Sequence, residues 1–280
     1  GLGNLRNPAR GLLVAALIVY GITTIDVYVE RPPWREIGQD AARYAQPGDL
    51  ALAHITPSGD WQMIYYYERF MPQGVEWRSL RQWQREQPET YASGLPALLA
   101  EHAQVWLMHW SVDRSAFDAL AATGHVQTAI MTHDWRGSDL NVYRFDQLPP
   151  PDEVLTAFES GMVLRQAAVI DDALRLDLWW SADETPDADY VVSARLLNAD
   201  GVLVAQRDSQ PFNGQRPTST WTAGEVIYDP HLLQLADGLD HLPPGEYTAA
   251  VLVYRWTPDG IINVPTVSGD DLAIIGTLQR

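Results

Sequence analysis

The spacing of apolar positions changes twice along this chain. From Gly11 to Ile25 (GLLVAALIVYGITTI) the residues carry no charge. From Pro32 to about Phe145, stretches with helical spacing alternate with short, nearly continuous apolar runs. From Leu174 onward apolar and polar residues mostly alternate one by one. Continuous apolar runs between helices predict strands buried on both faces of an α/β layer, and strict alternation predicts half-buried antiparallel strands.

The first run is short of the roughly 20 residues a bilayer span needs. Extension to Val29 lengthens it and leaves Asp26 near the headgroups. Arg6 and Arg10 precede it, which puts the N-terminal side in the cytoplasm and everything after about residue 30 on the extracytoplasmic side. The next residues, Asp26 to Val29, form no small-residue cleavage site of a signal peptide. The chain also opens on Gly1 rather than Met. Residues 1–31 are therefore expected to be the last transmembrane helix and flanks of a larger membrane protein, meeting the lipid bilayer through Gly11 to Val29. A signal sequence and a buried core helix are the competing readings.

Residues 32–147 are expected to form a small α/β domain with a mostly parallel sheet. Trp34, Ile37, Ala41 and Tyr44 share one face of a helix after Pro32 and Pro33. Leu50 to Ile55 (LALAHI) reads as a buried strand. Helices are expected over Asp60 to Phe70, over Pro96 to Ala103, and over Ser115 to Ala122, the last capped by Ser115 and ended by Gly124. Val105 to Trp110, His125 to Thr132 and Leu140 to Phe145 complete the strands. In the second helix, Trp61 and Tyr65 are expected to pack inward and Tyr66 or Tyr67 to be exposed.

Leu148 to Asp152 (LPPPD) is a stiff, polar joint. Residues 148–280 then read as an antiparallel β-sandwich of the immunoglobulin-like kind. Leu174 to Trp180 (LRLDLWW) alternates as a half-buried strand does. Tyr190 to Leu197 and Val202 to Gln206 flank a turn at Gly201. Glu225 to Tyr228, Gly245 to Tyr254 and Leu272 to Leu278 are the remaining strands. The fold class is thus α/β plus all-β behind an N-terminal membrane helix.

Composition narrows the chemistry. The net charge is −17, which disfavours nucleic acid as a partner. There is no Cys, so disulfides and thiolate chemistry are excluded. All 19 basic residues are Arg, which removes lysine Schiff-base chemistry. The 11 Trp are many for this length and fit core packing, a sugar-facing surface or a membrane belt. His54, His109 and His133 fall at or near the carboxyl ends of expected strands, and Asp134 follows His133. Ligands bind outside those ends in open α/β sheets. These four residues, with Trp61 and Tyr66, are the candidate substrate-binding set; no catalytic residue and no metal site are assigned.

The ordered series VAQRDSQP, RPTSTWTAGE and PPGEY between Leu203 and Tyr247 resembles the C-terminal β-sandwich of large bacterial membrane glycosyltransferases. These are of the GT-C type, in the family of dolichyl-phosphate-mannose–protein mannosyltransferases. PPWREIGQDAARYAQPGDLALAH, after the hydrophobic run, is similar to the exit from their membrane region. The resemblance implies a non-catalytic outer portion, without a cofactor of its own, of an enzyme that uses a polyprenyl-phosphate sugar donor. The partners it implies are the membrane region before Gly1 and a glycan or acceptor. The competing expectations are a membrane-anchored carbohydrate-binding protein and a small enzyme working at the His54, His109 and His133 edge.

Overall fold

The computed structural model describes residues 32–55 and 60–280. The first region opens with helix α1 (Trp34–Tyr44), strand β1 (Leu50–Ile55), helix α2 (Asp60–Phe70) and strand β2 (Glu76–Ser79). Helices α3 (Leu80–Glu86) and α4 (Pro88–Ala100), strand β3 (Gln104–Trp110), helix α5 (Ser115–Ala122), and strands β4 (His125–Trp135) and β5 (Ser138–Gln147) follow. The stripe at Trp34, Ile37, Ala41 and Tyr44 is buried, as its spacing requires. Gly38 lets α2 approach α1, since a Cβ there would stand 3.0 Å from the Tyr66 Cβ.

The sheet order is β2-β1-β3-β5-β4. β1 pairs in parallel with β2 and β3, while β5 pairs antiparallel with β3 and β4. The sheet is mixed, not mostly parallel as expected. The cause is the β4–β5 hairpin: Trp135 pairs with Ser138, and Arg136 and Gly137 between them have φ of 53° and 75°. Such a two-residue turn can only reverse the chain. α1 and α2 cover one face with Ala51, Ala53, Trp106 and Met108; α3, α4 and α5 cover the other with Leu50, Leu52, Val105 and Leu107.

Several local expectations shift. α4 starts at Pro88, not Pro96, because Tyr91, Leu95, Leu98 and Leu99 form one buried stripe that needs the earlier start. β2 and α3 have too little apolar spacing to read from sequence. Ser115 is the first residue of α5 rather than its cap; its N–H donates to Asp113 Oδ1 at 2.9 Å. In α2 the inward face carries Met63 and Tyr67, leaving Tyr65 at 51% exposure, the reverse of the expected assignment.

The second region is built from β6 (Thr156–Ala157), β7 (Met162–Ile170), β8 (Arg175–Ala182), β9 (Val191–Asn198) and β10 (Leu203–Ser209). β11 (Ile227–Leu232), β12 (Gln234–Leu235), β13 (Glu246–Thr257), β14 (Gly260–Val264) and β15 (Ala273–Gln279) complete it. One antiparallel sheet has the order β11-β8-β7-β6. The other runs β12-β10-β9-β13-β14, with β15 also on β13. Their facing sides bury Leu178, Trp180, Val192, Val251 and Val253 together. The immunoglobulin-like expectation is corrected here. The twelve residues of β13 hold β15 along the first half and β14 along the second, so one edge is shared by two strands. With 44% strand and 21% helix, the described residues are mostly β. No helix among the described residues is long and apolar enough to cross a membrane; the expected span, Gly11 to Val29, lies outside them.

The two regions share one core. α1, Trp106, Trp179, Phe212, Val226 and Tyr228 belong to a single buried cluster. β8 is buried at every position, Arg175 and Asp177 included, where alternation predicted a half-buried strand. Arg175 and Asp177 face the first region. Arg175 Nη1 and Nη2 donate to the carbonyls of Arg43 and Tyr44 at 3.1 Å each, a cation at the carboxyl end of α1. Arg175 Nη2 also meets Asp177 Oδ2 at 2.9 Å, and Gln46 donates to the same oxygen at 2.8 Å. Beside them, Arg144 is bidentate with Asp146 and lies 3.8 Å over the Tyr228 ring. Buried charges persist only when paired and hydrogen-bonded in this way.

Candidate functional site

His54 and His109 are brought together. They are register partners at the carboxyl ends of parallel strands β1 and β3, and their rings meet edge to face at 5.3 Å. Both are buried and lie on the face covered by α3, α4 and α5, since they follow the parity of Leu52 and Leu107. The β3–α5 loop supplies Asp113. Its carbonyl accepts from His109 Nε2 at 2.8 Å, and its Oδ2 lies 3.6 Å from His54 Nε2. Among the described residues His54 Nδ1 has no hydrogen-bond partner.

Burial holds both imidazoles below their ordinary value; Asp113 acts against it in each. The Asp113 carboxyl is lowered, first by the Ser115 N–H. Both rings are therefore neutral at pH 7, and His109 Nε2 is engaged as a donor. The pair can take up a proton in acid, and at 3.6 Å the Asp113 carboxylate is too far from His54 Nε2 for a hydrogen bond.

His133 does not join them. It has the parity of Ala129 and Met131, so it lies on the opposite face of the sheet, with Nε2 3.6 Å from Asp40 Oδ2 of α1. Asp134 is exposed on the hairpin. Tyr66 is half-buried and stacks on Phe70 at 5.9 Å. The Trp61 side chain lies outside the described residues. Among the described residues no three His, Asp or Glu side chains stand close enough to hold a metal ion.

A further cavity lies elsewhere and was not legible in the sequence. A cleft of about 620 Å³ opens where the six-stranded sheet extends past the four-stranded one. Its walls are the β6–β7 turn at residues 159–161, the β8–β9 loop at 183–187, and Arg255 with residues 262–265 of the β13–β14 hairpin. Glu159, Asp183, Glu184 and Asp187 are exposed there. Tyr190 donates to Asp187 Oδ1 at 2.5 Å, and burial, then that carboxylate, push its phenol up to about 12. These acidic residues sit in turns that carry no spacing signal, so only folding brings them together.

No family model matches the chain, and no curated protein matches it. Among solved structures, it is similar to an endonuclease/exonuclease/phosphatase from Beutenbergia cavernae at 14% identity and a TM-score of 0.23, over 56% of this chain and 35% of that one. A β-glucuronidase from Ruminococcus gnavus gives 12% identity and a TM-score of 0.19, over 50% of this chain and 22% of that one. The chain thus spans well under half of either protein. Superpositions this loose carry no argument about fold or activity.

Proposed function

We propose that this chain is the non-catalytic, extracytoplasmic C-terminal portion of a polyprenyl-phosphate-sugar-dependent membrane glycosyltransferase, where it caps the active site or holds the acceptor. The resemblance of the sequence between Leu203 and Tyr247 suggests the family. The structural observation that supports the role is the common core of the two regions, sealed by Arg144–Asp146 and Arg175–Asp177. Independent modules on one chain usually meet through smaller, more polar and more mobile contacts. A unit that must stand at a fixed place over a membrane active site needs stiffness of this kind. His54 and His109 are both buried and neutral, with His109 Nε2 held by the Asp113 carbonyl, and on this reading the transfer chemistry belongs to the membrane region. Sequencing the gene upstream of Gly1 tests the reading: several hydrophobic segments are expected, and an initiator Met preceded by a stop codon would overturn it. Residues 32–280 incubated with a polyprenyl-phosphate sugar should transfer nothing, and turnover would equally defeat the proposal.

Trp256 favours a second reading, carbohydrate binding. It is 66% exposed and meets Tyr254 edge to face at 6.1 Å, an arrangement suited to stacking on a sugar. Glycan-array binding that disappears with Trp256→Ala would support it.

A further inference from the structure

The cleft of the β region combines three properties that select one kind of occupant. The first is an open strand edge. β14 ends its sheet, and among the described residues only β13 pairs with it. Its sequence, Gly-Ile-Ile-Asn-Val, has none of the charges or prolines that usually protect an edge, and Ile261 and Ile262 are 53% and 48% exposed. The second is uncovered inner surface. Val251 and Val253 on β13 are buried against the opposite sheet, but the next inward residue, Arg255, and its cross-strand partner Ile262 run past that sheet and line the cleft. The third is charge. Four carboxylates, Glu159, Asp183, Glu184 and Asp187, face one guanidinium, Arg255, which lies 3.5 Å from Asp187. Glu159, Asp183 and Glu184 form no ion pair among the described residues.

We propose that this cleft docks an extended, basic polypeptide segment, which adds to β14 as a further strand. Strand addition supplies main-chain hydrogen bonds, and alternate side chains of the segment point toward the cleft. Arg or Lys at those positions meets the carboxylates with its stem lying over Ile262, and β-branched residues between them, on the other face, cover Ile261. Charge complementarity of this form also excludes wrong partners. A sugar fits less well, because the one aromatic lining the cleft, Tyr190, is buried and offers no free ring face. An anionic lipid surface has the wrong sign. The inference does not depend on the function proposed above.

The test uses the full chain and a fluorescein-labelled peptide of alternating Arg and Val, about eight residues long to match an ordinary strand. A Glu–Val peptide and an Arg peptide of equal charge interrupted by Pro serve as comparisons. Saturable binding of the Arg–Val peptide is expected, weakening as salt rises, with hydrogen-exchange protection at Gly260–Val264. Asp183→Asn with Glu184→Gln should weaken it about fivefold or more, each lost exposed pair contributing modestly. Glu159→Gln, on the opposite wall, should weaken it in the same direction. Because these side chains are exposed, an unchanged melting temperature will show that the variants fold. No saturable binding, equal binding of the Pro-interrupted peptide, protection elsewhere, indifference to both sets of variants, or displacement by a neutral oligosaccharide would each overturn the proposal.

Discussion

Strands β1 and β8 are both buried at every position, yet they achieve it by opposite means. β1 (LALAHI) is apolar on both faces apart from His54, and helices cover both faces. β8 (RLDLWWSA) is apolar toward the opposite sheet, and toward the first region it presents Arg175, Asp177 and Trp179. An apolar strand needs only cover. A charged face needs partners within hydrogen-bond reach, here the α1 carbonyls, Gln46 and each other. Alternation in a sequence therefore reports two chemically different faces, and does not report which of them meets water.

The strongest way to break this comparison is to remove one member of a buried pair. Asp177→Ala leaves the Arg175 guanidinium without its carboxylate and should cost about 3–5 kcal/mol in urea unfolding. A loss under about 1 kcal/mol would mean that water reaches the interface. Leu52→Ala in β1 should cost about 2–5 kcal/mol, through lost transfer energy and the cavity left behind. If it costs much more than Asp177→Ala, apolar burial outweighs charge pairing in this molecule.

Replacing the pair together sharpens the point. Arg175→Met with Asp177→Leu should lie near neutral or be more stable, because both desolvation costs disappear. Loss of the α1 carbonyl contacts is the term that could reverse this, and the same unfolding curves read it.

Acid offers a smaller, graded test. Burial lowers His54 and His109 below the ordinary 6.5, so their contribution to stability is complete above that value and is lost as pH falls through the depressed folded values. Asp177 works the other way. Burial raises it above the ordinary 3.8 despite Arg175, so its contribution is complete in acid and is lost as pH rises through the elevated value. The urea midpoint should fall between pH 7 and pH 5, and His54→Gln with His109→Gln should reduce that fall. An unchanged pH response would remove the two imidazoles from the account. Least of all, Asp183→Asn at the exposed cleft wall should change stability by no more than about 0.5 kcal/mol.

The candidate site was legible only in part. The position of His54 and His109 at strand ends follows from LALAHI and VWLMHW, and the parallel pairing of β1 with β3 aligns them. His133 reads the same way in sequence, but one step of strand parity sends it to the other face, beside Asp40. Asp113 had no signal of its own, being a loop residue whose role comes from where β3 ends. The acidic cleft had none either, since residues 159, 183–187 and 255 are far apart along the chain.

The sequence alone determined the local choices. Helical stripes such as Trp34, Ile37, Ala41 and Tyr44 and continuous runs such as LALAHI fix element type, because the burial period is set by backbone geometry within a few residues. A net charge of −17 and the absence of Cys and Lys limit the chemistry in the same direct way. Tertiary structure decided whether β5 ran parallel or antiparallel to β3, that the polar face of β8 was covered as well as the apolar one, and which carboxylates gathered around one cleft. Those outcomes rest on contacts between residues far apart in sequence, where the energy of a charge or an apolar side chain depends on neighbours that only the fold supplies.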